Sequence, residues 1–140
     1  MKTQVLVIDG QGGQLGSQIV RELLAKFSDI QITAVGTNAV ATAAMIKAGA
    51  AKAATGENPV LVACRKADVI IGPIGIVIAD SLMGEVTPAM AVAVGQADAV
   101  RILIPMNKCE NMVAGVSSMS TTVLIQDAVT KLSHILNNNC

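Results

Sequence analysis

One short stretch near the start of the chain does most to limit what it can fold into. It reads Asp9-Gly10-Gln11-Gly12-Gly13-Gln14-Leu15-Gly16-Ser17, with four glycines in seven positions. An apolar run at residues 4–8 leads into it. After it, Leu15, Ile19, Val20, Leu23, Leu24 and Phe27 recur at helical spacing, with Gln18, Arg21, Glu22 and Lys26 on the opposite side. A buried strand that turns on glycine directly into an amphipathic helix is the opening unit of a sheet flanked by helices. The glycines read as GxxGxxG through Gly10, Gly13 and Gly16, or as GxGxxxG through Gly10, Gly12 and Gly16. Neither is the strict GxGxxG. Each glycine in such a turn has a separate reason: a tight exit from the strand, close approach of backbone to a pyrophosphate, or close packing of helix on sheet. Free backbone N–H groups and the helix dipole then favour an anion.

The alternation continues beyond the turn. Residues 30–35 read as a second strand, and Asn38 is a natural N-cap for an alanine-rich helix over 39–48 closed by Gly49. A short third strand is expected at 51–54. Asn58-Pro59 then opens a helix to about Lys66, and residues 68–71 begin a fourth strand. Residues 76–83 are apolar on nearly every side and predict a buried helix, and Thr87-Pro88 starts another through Val94. Residues 99–104 form a fifth strand. A sixth is expected at 113–116, too close to the fifth for a parallel crossover, and so antiparallel at the edge. A last helix runs over about 121–136. This pattern specifies an α/β, Rossmann-like doubly wound and mostly parallel sheet of order 3-2-1-4-5-6. One domain is expected over residues 1–136, with 137–140 as a disordered tail.

Composition agrees. Apolar residues make up 52% of the 140, and Phe27 is the only aromatic one. Mean hydropathy is +0.59. Val, Ile, Leu, Ala and Met must therefore build the core, which suits parallel strands buried on both faces. So apolar a small domain also predicts a homo-oligomer, with a dimer favoured. Charged residues are 14% and balance to zero, without a basic stripe, so no nucleic-acid partner is expected. The longest apolar stretch, residues 69–79, is broken by Gly72, Pro73 and Gly75 and falls short of the ~20 residues of a membrane span. Met1-Lys2-Thr3 runs straight into a strand, so no leader is expected. Cys64, Cys109 and Cys140 stand far apart, which fits a reduced cytoplasm and predicts no metal site.

The candidate ligand site follows from the sheet. Gly10, Gly12, Gly13, Gln14, Leu15 and Gly16 would hold a phosphate. Gly72-Pro73-Ile74-Gly75, after the fourth strand, would face them across the point where strand order reverses. A dinucleotide site usually adds an acid after the second strand, about 20 residues beyond the turn. Here Gly36-Thr37-Asn38 stands instead. Thr37 and Asn38 can bond a ribose hydroxyl, but the missing acid weighs against NAD and against S-adenosylmethionine. NADP or another nucleotide stays open, without a nearby arginine to take a 2′-phosphate. Asp9 would repel a phosphate beside it unless its carboxylate is spent on turn N–H groups, the ordinary role of Asp before Gly.

Asn107, Lys108 and Cys109 follow the fifth strand with an amide, a charge and a thiol. They read first as a polar loop and second, with Asp9, as candidate catalytic groups. Thr55-Gly56-Glu57-Asn58 reads as a turn and helix cap. His134 is the single histidine and sits near a helix end, so a Ser/His/Asp triad has little support.

Taken together, IDGQGGQLG, VGTNAVAT, AATGEN, DVIIGPIGI and RILIPMNKC resemble a small bacterial family of Rossmann-like proteins with no assigned function. The resemblance covers all but the asparagine-rich end. It implies a short stand-alone Rossmann-like domain and no particular reaction. The expected function is binding of a small phosphorylated ligand at residues 10–16. A small-molecule enzyme completed by a second subunit and a ligand-free oligomeric scaffold are the alternatives.

Overall fold

Continuous burial along the first strand sets the architecture. Val5, Leu6, Val7 and Ile8 are each no more than 1% exposed, so the strand must be covered on both faces. It lies at the centre of a five-stranded parallel sheet of order β3-β2-β1-β4-β5 in the computed structural model, which describes residues 2–106, 111–116 and 119–138. The strands are β1 (Thr3–Asp9), β2 (Ile30–Gly36), β3 (Lys52–Thr55), β4 (Val69–Pro73) and β5 (Val100–Ile104). β1 pairs with β2 from Thr3↔Ile30 to Asp9↔Gly36 and with β4 from Val5↔Val69 to Val7↔Ile71. The helices are α1 (Gln14–Lys26), α2 (Ala39–Lys47), α3 (Glu57–Cys64), α4 (Pro88–Gln96) and α5 (Thr121–Asn138).

Alternate side chains of β1 feed two separate cores. Val5 and Val7 join Ile19, Leu23, Met45, Ile125 and Leu132, under α1, α2 and α5. Leu6 and Ile8 join Val60, Cys64, Met90 and Val94, under α3 and α4. The chain first winds β1 to β2 to β3, then returns across β1 to β4. The carboxyl ends of β1 and β4 therefore flank the switch point, where a crevice opens in sheets of this kind.

Local signals placed most helix starts. The Asn38 Oδ1 accepts from Ala41 N–H at 2.9 Å, and the Thr87 hydroxyl accepts from Met90 N–H at 3.2 Å with Pro88 at the first helical position. The third helix starts slightly earlier than expected, at Glu57, with Gly56 as its N-cap.

Three expectations fail. The sixth, antiparallel strand is not seen. Residues 113–116 instead close a turn, with Val116 N–H bonded to Val113 carbonyl at 3.3 Å and Gly115 at φ 83°. Extended pairing is incompatible with that backbone, so β5 is the sheet edge among the described residues. The expected helix over 76–83 is replaced by a short 3-10 turn, Ile74–Val77, and a series of tight turns. Asp80, Leu82, Met83 and Gly84 all have positive φ (65°, 54°, 57° and 86°), which no right-handed helix accommodates. Apolar residues on all sides gave no period to tell helix from loop. Finally, Asn137 and Asn138 continue α5 instead of fraying.

Candidate functional site

β1 delivers Asp9 to the foot of the glycine turn. Its side chain is buried, and Oδ2 accepts the Gly16 N–H at 2.7 Å. Burial pushes the Asp9 carboxyl up, the Gly16 and Gly10 N–H groups pull it partly back, and the charge of Glu85 adds to the rise. Its carboxylate is thus engaged by the turn itself, in keeping with the capping role expected of an Asp before Gly.

The four glycines of the turn have different jobs. Gly13 lies at φ 73°, and a Cβ there would sit 2.7 Å from the Ala41 Cα. A Cβ on Gly16 would meet both the Asp9 Cβ and the Met45 Sδ at 2.7 Å, so this glycine seats α1 against β1 and α2. A Cβ on Gly10 would meet the Thr37 Oγ1 at 2.5 Å. Gly12 is the exception. It is exposed, its φ is not in the left-handed region, and a Cβ there would meet nothing within 4 Å.

The helix start is open on the same side. Gly13, the N-cap of α1, offers no side-chain cap. Gly13 N–H is used by the Gly10 carbonyl at 2.9 Å and Gly16 N–H by Asp9. Among the described residues, no protein acceptor engages the N–H groups of Gly12, Gln14 or Leu15. All three residues line a cavity of about 770 Å³ at the switch point. That volume falls in the range of roughly 300–1,000 Å³ usual for small-molecule sites.

Most of the sequence-derived candidates meet here. Asp9, Gly10, Gly12, Gly13, Gln14, Leu15, Pro73, Ile74 and Gly75 all line the cavity. Gly16 and Gly72 are buried and do not line it, and Thr37 and Asn38 lie outside its lining as well. Asn107, Lys108 and Cys109 lie outside the described residues. Thr55 faces Thr42 at 2.7 Å, and Glu57 accepts from the Thr87 hydroxyl at 2.5 Å, both outside the cavity. His134 is exposed on α5. A second cleft, of about 440 Å³, runs beside α3 and is lined by Thr33, Val35, Ala54 and Val62; it holds none of the glycine-turn groups.

The segment between β4 and α4 supplies the residues that the sequence reading missed. Ile78, Ala79, Asp80, Ser81, Leu82 and Met83 form one wall. The loop is cross-braced by Asp80 N–H to Val86 carbonyl at 2.7 Å, Val86 N–H to Ser81 carbonyl at 3.2 Å, and the Ser81 hydroxyl to Gly75 carbonyl. Such bracing holds three non-glycine residues at positive φ, a strained backbone of the kind that collects at binding sites.

This loop crosses from the end of β4 toward the end of β2 and brings Glu85 with it. One carboxylate oxygen of Glu85, Oε1, accepts the Gln11 N–H at 2.9 Å, the Thr37 hydroxyl at 2.7 Å and the Asn38 Nδ2 at 2.7 Å. Thr37 and Asn38, read as hydroxyl-binding groups, thus hold an acid first. Burial, the largest single influence, raises the Glu85 carboxyl, but the bonds from Gln11, Thr37 and Asn38 together outweigh it and leave the group below the usual glutamate value. No local pattern could have found this residue, which lies 48 positions from Thr37.

No helix of the described residues is long and apolar enough to cross a membrane, and none of their His, Cys, Asp or Glu side chains form a cluster of three or more that could hold a metal ion.

Comparisons with known proteins return two distant structural matches and one family. A short-chain dehydrogenase/reductase from Veillonella parvula DSM 2008 superposes with a TM-score of 0.48 at 17% identity over 75% of this chain. The match spans about half of that enzyme, 47% of its length. A dodecameric FMN-dependent Ubix-like decarboxylase from Escherichia coli O157:H7 gives a TM-score of 0.44 at 17% identity over 96% of this chain and 76% of that one. No curated protein matches the sequence significantly. Residues 4–137 match a single family over nearly the whole chain, and the protein therefore belongs to the family described as Domain of unknown function (DUF3842).

Proposed function

We propose that this protein binds a small phosphorylated ligand, of the nucleotide class, with its phosphate on the glycine turn. Gly12 carries the reading. Its neighbours impose no steric demand for glycine, and its backbone does not need positive φ. What remains is the approach of something from the cavity side, and the N–H groups of Gly12, Gln14 and Leu15, which no acceptor among the described residues engages, suit an anion there. Asp9 does not oppose this, because its carboxylate is turned to the Gly16 N–H. Calorimetric titration with inorganic pyrophosphate and with ADP tests the reading. Saturable binding of both is expected. Absence of heat and of any melting shift at millimolar ligand would refute it.

A further inference from the structure

The helices cover one face of the sheet only in part. Partnered residues stand side by side on the same face of a parallel sheet, so Leu6, Thr33 and Lys52 form one row across β1, β2 and β3, and Val35 and Ala54 belong to the next. α2 packs on the opposite face of β2 and β3, where Met45 meets Ile32 and Ala34. On this face α3 turns back toward β4 and packs chiefly on α4. The cleft of about 440 Å³ beside α3 is what stays open. Its volume lies within the roughly 300–1,000 Å³ usual for small-molecule sites.

The lining divides by chemistry. Leu6, Val35, Ala54, Val62, Ala63 and Ala67 make the body of the cleft apolar. Lys52 and Lys66 line it too, and neither makes an ion pair or a side-chain hydrogen bond among the described residues. The half-buried Thr33 hydroxyl and the Asn58 amide also lack a side-chain partner there. No acid lines the cleft. Glu57 and Asp68, close to it in the chain, are engaged elsewhere: Glu57 accepts from the Thr87 hydroxyl, and Asp68 Oδ2 accepts from the Gln4 N–H at 2.8 Å. Two cations beside apolar walls therefore leave a positive charge that the cleft does not neutralise.

We propose that this cleft is a second binding site, independent of the phosphate reading above, for a small monocarboxylate with an apolar body, such as a fatty or aromatic acid. Lys52 opens β3, and Lys66 lies two residues before Asp68, whose N–H bonds the Gln4 carbonyl near the start of β1. Both cations thus stand toward the amino end of the sheet, away from the glycine turn at its carboxyl end. The acid group lies at that amino end, and the apolar body runs toward Val35, Ala54 and Val62. A strongly hydrated inorganic anion would lose water against these walls without replacement, whereas an apolar body gains from burial and brings only its acid group to the lysines.

Amide-resolved NMR titrations of the isotope-labelled full chain with phenylbutyrate, phenylbutanol and phenylbutylamine test the assignment. Phenylbutyrate should shift the amides of Thr33, Val35, Ala54 and Val62 saturably and leave those of Gly12, Gln14 and Leu15 in place. It should bind about twofold to thirtyfold more tightly than the alcohol, the range for two exposed ion pairs, with the amine weakest. Salt should shrink that advantage. The double variant Lys52→Met/Lys66→Met should bring the acid to the affinity of the alcohol, with the alcohol bound as before. Ala54→Leu, which fills the floor, should weaken acid and alcohol alike, and a melting curve verifies that each variant is folded. No saturable shift at these amides with millimolar phenylbutyrate would overturn the site. Equal binding of acid, alcohol and amine would overturn the carboxylate assignment, as would an acid preference that survives in the double variant. Inorganic phosphate moving the same amides as strongly would also overturn it, as would shifts of these amides with protein concentration alone, which would place a second copy of the chain on the cleft. Pyrophosphate shifts at residues 10–16 report on the phosphate reading separately, whichever way the cleft responds.

Discussion

Gly12 and Gly13 are adjacent, yet alanine should have opposite effects at the two positions. At Gly13 the φ of 73° costs an L-residue about 1–2 kcal/mol. A Cβ at 2.7 Å from the Ala41 Cα and 2.9 Å from its carbonyl oxygen adds an overpacking cost of about 1–3 kcal/mol, because backbone cannot swing aside. Gly13→Ala should therefore destabilise by about 2–5 kcal/mol. At Gly12 a Cβ enters open space on a backbone without positive φ. Gly12→Ala should stabilise by about 0.4–1 kcal/mol, through the lower entropy of the unfolded chain. Unfolding entropy for 140 residues is about 0.3 kcal/mol/K at the midpoint. The Tm should then fall by about 7–17 °C for Gly13→Ala and rise by about 1–3 °C for Gly12→Ala. Differential scanning calorimetry measures both. The same Gly12→Ala protein should bind pyrophosphate at least tenfold more weakly in calorimetry, a rough figure for a ligand held off by one methyl group. A Gly12→Ala protein that melts several degrees low would refute the claim that its glycine serves nothing internal. One that melts normally and binds pyrophosphate like the parent would refute the claim that it serves a ligand.

Asp9 predicts a pH signature. Its folded carboxyl titrates above the ordinary value of 3.8, so between 3.8 and the folded value the native state holds a proton that the unfolded chain releases. Stability should decline across that window as pH rises, and urea titrations of Asp9→Asn between pH 3.5 and 7 should lack that decline (a pH range about that of the reference carboxyl and neutrality); an unchanged profile would remove Asp9 as its source. Glu85 has the opposite sign: its lowered carboxyl contributes stability above the ordinary value of 4.5 that is lost as pH falls below it, and Glu85→Gln should flatten the acid limb of the same titration. Met83 is 95% exposed at φ 57°, so Met83→Gly should relieve about 1–2 kcal/mol of backbone strain without loss of packing and raise the Tm, and a lower Tm would argue against the strained loop. Leu132 on α5 is wholly buried beside β1 and β4 side chains, so Leu132→Ala should cost about 2–5 kcal/mol, and a cost below about 1 kcal/mol in chemical denaturation would show that α5 is not docked as described.

The parallel core, most of the helix starts and the glycine turn are legible in the chain alone. Those features are local. Strand burial shows in runs such as Val5 to Ile8, α1 in its spacing from Leu15 to Phe27, and caps in Asn38 and Thr87-Pro88. The sequence also placed Gly10, Gly12, Gln14, Pro73 and Gly75 around one cavity, because strand order brings the ends of β1 and β4 together. Where the period vanished, the reading failed. Residues 76–83 are apolar on every side, and a helix and a tightly turned loop look alike in such a stretch until the left-handed φ values at Asp80, Leu82 and Met83 are known. The short run at 113–116 likewise has strand composition but the backbone of a turn. Only tertiary structure could supply Glu85. A carboxylate's effect depends on distance in space, and the loop after β4 carries it across the sheet to donors at the end of β2 and in the glycine turn. The glycine turn is legible in the local sequence; the crossing of that loop decides what stands beside it.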